Sequence, residues 1–169
     1  FDKEFLKMIL AQGKLISDKI LRGGTIFFMG NGGSAADSQH ISAEFVSKLS
    51  IDRRPLPAIA LTVDSSALTA ISNDYGFENL FARQITALCN KGDIVVGIGT
   101  SGTSKNVLAG FDAAKEIGAY TIGLSGNKGF SGIDIDFDFV VHHKNTARIQ
   151  EAHILLGHLL CQVAEDDFV

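Results

Sequence analysis

Ile94-Val-Val-Gly-Ile-Gly-Thr-Ser-Gly-Thr-Ser104 joins a near-continuous apolar run to a loop of glycines and hydroxyls, and a helical pattern follows from Ser104 to Ile117. The same order occurs earlier, where the apolar run Thr25 to Met29 leads into Gly30-Asn-Gly-Gly-Ser34 and then into a helical pattern from Ala35 to Leu49. An apolar run without polar alternation reads as a strand buried on both faces, the condition of a parallel sheet covered by helices. A glycine-rich turn that opens a helix presents N–H groups with no intrahelical partner at the positive end of the helix dipole. The two loops therefore read as a cradle for an anion, with the hydroxyls of Ser34, Thr100, Ser101 and Ser104 able to add hydrogen bonds.

Working outward, strand-like runs recur at Ala58 to Leu61, Thr121 to Leu124 and Phe137 to Val141, and helical periodicity at Phe5 to Leu21, Ser65 to Ile71, Asn79 to Leu88 and Thr146 to Glu165. Gly23-Gly24 and Gly118 read as C-terminal helix stops. The alternation predicts an α/β fold: a three-layer, doubly wound, flavodoxin-like arrangement of five parallel strands flanked by helices. In such a sheet ligands sit beyond the carboxyl ends of the strands, where both glycine loops fall. Asn73-Asp74 and Ser125-Gly126 are expected in connecting loops at the same rim.

With 169 residues, 46% hydrophobic and 20% charged, the chain fits one globular domain over 1–169. No apolar run is long enough to span a bilayer. The charges Asp2, Lys3, Glu4, Lys7, Lys14, Asp18 and Lys19 interrupt the helical pattern of Phe1 to Leu21, unlike a signal peptide, so a cytoplasmic location is expected. Cys89 and Cys161, far apart and in helical patterns, read as buried reduced thiols rather than zinc or redox ligands. A net charge of −4 with no basic cluster beyond Arg53-Arg54 disfavours nucleic acid as a partner.

The first loop also fits G-x-G-x-x-A through Gly30, Gly32 and Ala35, and Asp64 could serve a dinucleotide ribose, but that reading leaves the second loop unexplained. No Gly-Lys-Ser/Thr follows either loop, so a P-loop is not indicated. His40 and Glu44, four apart on the helix after the first loop, share a face and form either an acid/base or metal pair or an incidental solvated pair. On the last helix Arg148, Gln150, Glu151, His153 and His158 interrupt an apolar pattern, and His153 or His158 taken alone reads as a hydrogen-bonded core histidine. His142 and His143 end a strand and are expected to be exposed.

Taken together, Gly30-Asn-Gly-Gly-Ser34, Gln39-His-Ile-Ser-Ala-Glu44, Arg54-Pro-Leu-Pro-Ala-Ile-Ala60, Ser72-Asn-Asp-Tyr-Gly-Phe77, Thr100-Ser-Gly-Thr-Ser104 and Arg148-Ile-Gln-Glu-Ala-His153, followed by His158, resemble the sugar isomerase (SIS) domain family. Within it the chain resembles the phosphoheptose isomerase branch over nearly its whole length. The resemblance implies conversion of the ketose sedoheptulose 7-phosphate into D-glycero-D-manno-heptose 7-phosphate through a cis-enediol, an early step toward lipopolysaccharide or another surface polysaccharide. It implies Glu44 as general base and His158 as partner acid/base. Asn31, Gly32, Gly33, Ser34, Glu44, Asn73, Asp74, Gly99, Thr100, Ser101, Ser104 and Gln150 match substrate-binding positions. His40, Glu44, Gln150 and His158 match zinc ligands of some members.

Gln150 and His158, eight apart on one helix, are separated by about 12 Å along its axis, so the resemblance implies that different subunits supply them. It also implies a homotetramer with active sites between subunits, packed through the helices near 1–21 and 146–165. The chain departs from the family's pattern at Gly99, where many members carry serine, and at Ala147, where some carry aspartate. Three other readings share the resemblance: a tetrameric scaffold that binds a replication initiator and lacks the acid/base pair, a sugar phosphate sensor attached to a DNA-binding domain, and an isomerase of a pentose or hexose phosphate.

Overall fold

A computed structural model describes residues 2–169 and contains five strands, β1 (Ile26–Gly30), β2 (Ala58–Ala60), β3 (Ile94–Gly99), β4 (Tyr120–Ser125) and β5 (Phe137–Val140). They form one sheet in the order β2-β1-β3-β4-β5, with every neighbouring pair parallel. The register places Phe28 beside Ala60 and Val96, and Val96 beside Ile122. This is the doubly wound, flavodoxin-like order expected from the alternating runs.

Six helices cover the sheet: α1 (Lys3–Leu21), α2 (Gly33–Val46), α3 (Ser65–Tyr75), α4 (Leu80–Leu88), α5 (Lys105–Ile117) and α6 (Thr146–Glu165). Successive strand residues point to opposite faces and so sort the core into two layers. Ile26, Phe28, Ile94, Val96, Ile98, Ile122 and Leu124 pack with Ile16, Ile41, Phe45, Leu156 and Leu160 of α1, α2 and α6. Phe27, Met29 and Val95 face Phe81 and Ile85 of α4 and Val107 and Phe111 of α5. Both cysteines are buried and unbridged, as expected, and burial pushes the Cys89 thiol up to about 11 and the Cys161 thiol to about 12.

Three sequence-based boundaries move for identifiable reasons. The helix pattern beginning at Phe1 starts at Lys3, where the Asp2 side chain accepts from the Phe5 N–H at 2.9 Å; Phe1 itself lies outside the described residues. The pattern read to Leu49 stops at Val46, because the guanidinium of Arg53 takes the carbonyls of Glu44, Phe45 and Ser47. Asn73 and Asp74, expected in a loop, lie within α3. Their turn-like composition is overridden because the chain is first forced out of helix at Gly76, whose φ of 88° suits glycine. Asp64, the acid considered for a dinucleotide ribose, instead caps α3 by accepting from the Ala67 N–H at 3.0 Å.

Candidate active site

The strand order reverses direction between β1 and β3, and the loop after each carries one glycine cradle, Gly30 to Ser34 and Gly99 to Ser104. No side chain caps α2 or α5, so their opening turns face the crevice without a built-in carboxylate or hydroxyl partner. Gly32 turns the first loop at φ 57°, and in the second loop a Cβ on Gly102 would run into the carbonyl of Gly129. The two cradles are tied together by a reciprocal amide pair: Asn31 Nδ2 donates to Asn106 Oδ1, and Asn106 Nδ2 to Asn31 Oδ1, each at 2.8 Å. Asn106 is buried, so Asn31, expected to face substrate, has its side chain committed to joining the loops.

Two cavities open at the second cradle. One, of about 210 Å³, is lined by Asn31, Phe77, Glu78, Ser104, Lys105 and Asn106. The other, of about 440 Å³, pairs Thr100, Ser101 and Thr103 with Lys128, His143 and Lys144 across its mouth. Lys128, His143 and Lys144 were missed by sequence reasoning because they come from the loops after β4 and β5, where no spacing ties them to the glycine motif. His142 and His143 are exposed, as expected, but His143 borders this cavity. Asn73 and Asp74 are exposed, bonded to each other at 2.7 Å, and line neither cavity.

Beneath the second cradle a buried network supports the loop. The Ser131 N–H donates to the Gly102 carbonyl at 3.2 Å, and the Gly126 turn abuts the carbonyl of Thr100. Asp138 accepts from the Phe130 N–H and the Ser125 hydroxyl, each at 2.9 Å. His153 Nε2 donates to the Ser125 carbonyl at 3.0 Å, which makes it the hydrogen-bonded core histidine expected. Burial pushes the Asp138 carboxyl up and the His153 imidazole down.

Helices α2 and α6 lie side by side and run the same way. Gln150 rests its amide against Gly33, Gly157 makes room for Ile41, and His40 meets His158. His40 Nε2 is 2.8 Å from His158 Nε2 and 3.3 Å from Glu44 Oε1. One nitrogen, one nitrogen and one carboxylate oxygen thus converge within 4.8 Å of one another. Two imidazoles and a carboxylate are ordinary zinc donors, and tetrahedral bonds of about 2.0–2.2 Å set donors roughly 3.4 Å apart, near the 2.8 and 3.3 Å that His40 keeps from His158 and Glu44, so the residues fit Zn²⁺ with a fourth position left over. Gln150 stands about 12 Å up α6 from His158, as its spacing requires. His158 joins His40 and Glu44 within one chain, because the parallel seam of α2 and α6 brings the three together, while Gln150 lies outside that cluster. His158 is half-buried against His40 rather than a plain core histidine.

The SIS domain family matches residues 2–126. The phosphoheptose isomerase of Solidesulfovibrio magneticus is 49% identical over 165 residues, covering 98% of this chain and 81% of that protein. That of Clostridium acetobutylicum is 46% identical over 167 residues, covering 98% and 85%. The solved phosphoheptose isomerase of Neisseria gonorrhoeae superposes with a TM-score of 0.88 at 42% identity, covering 97% of this chain and 90% of that one. The chain belongs to the SIS domain family. Within the family it groups with enzymes, the isomerases, rather than with a non-catalytic scaffold.

Proposed function

We propose that this isomerase converts sedoheptulose 7-phosphate into D-glycero-D-manno-heptose 7-phosphate, supplying heptose for surface polysaccharide. The observation that carries the reading is the convergence of His40, Glu44 and His158 on one helical seam in a chain whose relatives bear the name phosphoheptose isomerase. The phosphate end fits the cavity where Thr100 and Ser101 share the lining with Lys128 and Lys144, hydroxyls and cations suited to an oxyanion. Gly32, Gly33, Ser34, Gly99, Ser104 and Gln150 complete the cradle, and Asn73 and Asp74 serve sugar hydroxyls from the end of α3.

In the forward direction the Glu44 carboxylate takes a proton from C1 of the ketose while protonated His158 gives one to O2, leaving a cis-enediol. Glu44 then returns its proton to C2, and His158 recovers one from O1, so that the aldose leaves and both groups are restored. His40, Glu44 and His158, with Gln150 of a neighbouring copy as a further oxygen donor, would hold Zn²⁺, which when bound polarises the sugar carbonyl in place of the proton from His158.

Glu44 lies eleven residues beyond Gly33 on α2, about 16 Å along the helix axis. One copy's acid/base pair is thus remote from its own cradle, which supports a homotetramer whose active sites form between subunits. Exposed Leu6 and Leu10 on α1 and Leu155 on α6 supply apolar surface for that packing. No helix among the described residues is long and apolar enough to cross a membrane, in keeping with the cytoplasmic location proposed for a sugar phosphate enzyme.

Incubating the purified protein with sedoheptulose 7-phosphate and following the anomeric region by NMR tests the reading. Aldose signals growing with time support it. Their absence, together with turnover of a pentose or hexose phosphate, would transfer the site to the shorter substrate.

A further inference from the structure

The carboxyl end of α2 carries a second buried feature, outside the catalytic cluster. Arg53, in the segment that links α2 to β2, and Glu165, at the end of α6, have fully buried side chains, with Arg53 Nε 3.3 Å from Glu165 Oε2. Arg53 Nη2 donates to the Glu44 carbonyl at 2.9 Å, and Nη1 donates to the carbonyls of Phe45 at 2.9 Å, Ser47 at 3.2 Å and Arg54 at 3.1 Å. Glu165 accepts from the Ser50 hydroxyl at 2.6 Å and from the N–H groups of Ser50 at 3.0 Å and Leu49 at 3.4 Å. Burial opposes the charged form of Glu165, yet these hydrogen bonds and the guanidinium hold its carboxyl below the usual range.

We infer that Arg53 and Glu165 are positioning residues that fix the separation of Glu44 and His158. Glu165 lies seven residues beyond His158, two turns along the same face of α6. The guanidinium grips the backbone of Glu44 itself. The pair therefore clamps the ends of the two helices whose seam forms the site, and a slip of α2 against α6 would open the cluster of His40, Glu44 and His158. Net stability does not account for it, since a fully buried ion pair gains little over apolar residues of similar size. What only a guanidinium supplies is a planar fork reaching several carbonyls and a carboxylate at once.

The inference rests on the proposed isomerase reading for its kinetic arm and not for its metal arm. In Arg53→Lys the buried positive charge and its partner Glu165 remain, but one ammonium cannot span the carbonyls of Glu44, Phe45 and Ser47. The expected result is a cooperatively melting protein whose kcat falls about 10- to 100-fold, while KM stays within about 2-fold because both cradles are untouched. Affinity for Zn²⁺ alone, measured by competition with a chromophoric chelator, should weaken about 10-fold. A merely structural role would lower the melting temperature and leave these ratios in place. A cooperatively melting Arg53→Lys protein with kcat and Zn²⁺ affinity within about 2-fold of the parent overturns the inference. If that variant does not fold, Glu165→Gln, which keeps an acceptor for Ser50, decides on the same two readouts. Should the parent not turn over sedoheptulose 7-phosphate, the isomerase reading fails, and the Zn²⁺ affinities alone decide the positioning role.

Discussion

His40 and His158, 118 positions apart in the chain, bring their Nε2 atoms to 2.8 Å, with the rings edge to face and the Glu44 carboxylate 3.3 Å from His40. One nitrogen must donate and the other accept, so the pair holds a single shared proton or a cation in its place. In the first state Glu44 lies next to a group that can exchange a proton, and in the second the three side chains would hold the cation together.

Glu44→Gln keeps the volume and removes the proposed base. Isomerase turnover is expected to fall by about 10²- to 10⁴-fold, with the melting temperature within a few degrees of the parent. Initial rates and a thermal melt on the same preparation check this, and near-parental turnover would remove Glu44 from the mechanism.

Zinc binding by the cluster would stabilise the native state alone. At a free Zn²⁺ concentration of about 100 Kd the gain is about 2.7 kcal/mol, a rise of roughly 5–10 °C for a chain of this size. His158→Ala should abolish the rise measured by calorimetry, and a rise that survives in that variant would move the metal elsewhere.

Lys128 and Lys144 face the hydroxyls of the second cradle across an open cavity. Replacing either with alanine should raise KM for a sugar phosphate about 3- to 10-fold, leave kcat unchanged, and flatten the dependence of KM on salt, as expected for charges that act through solvent. Steady-state kinetics at two ionic strengths separates this from a folding defect.

Acid should weaken the fold through His153. Burial holds its folded pKa below the ordinary 6.5, so below that pH the unfolded chain binds the proton more readily than the native one. Stability contributed by neutral His153 is therefore present above pH about 6.5 and is lost as the pH falls toward the folded value, with a slope of at most about 1.4 kcal/mol per pH unit. Asp138, pushed up by burial, works in the opposite sense above pH about 3.8, where the native state holds the extra proton. Denaturant melts between pH 7 and 5 should show the loss for the parent and a shallower slope for His153→Gln.

The fold was legible because the strands are buried on both faces and so read as unbroken runs, as in Ile94 to Ile98, and because each cradle joins such a run to a helix. His40 and Glu44 were legible as an i,i+4 pair. Their meeting with His158 was legible only through the family resemblance, since it depends on α2 and α6 running parallel with Gly157 against Ile41, a long-range register that no local spacing encodes. Asn106, Lys128, Lys144 and Arg53 were missed for the same reason: each acts on a segment distant in sequence. Asn73-Asp74 misled because turn-forming composition yields to helix until a residue such as Gly76 requires a left-handed backbone.

The central claim is that Glu44 and His158 carry proton transfer between C1 and C2 of a heptose phosphate, and the most direct measurement is an NMR time course of sedoheptulose 7-phosphate with the parent and with Glu44→Gln, side by side. Aldose heptose phosphate should accumulate with the parent and stay at the no-enzyme level with the variant. No aldose with the folded parent, or equal rates from the two proteins, would contradict the account.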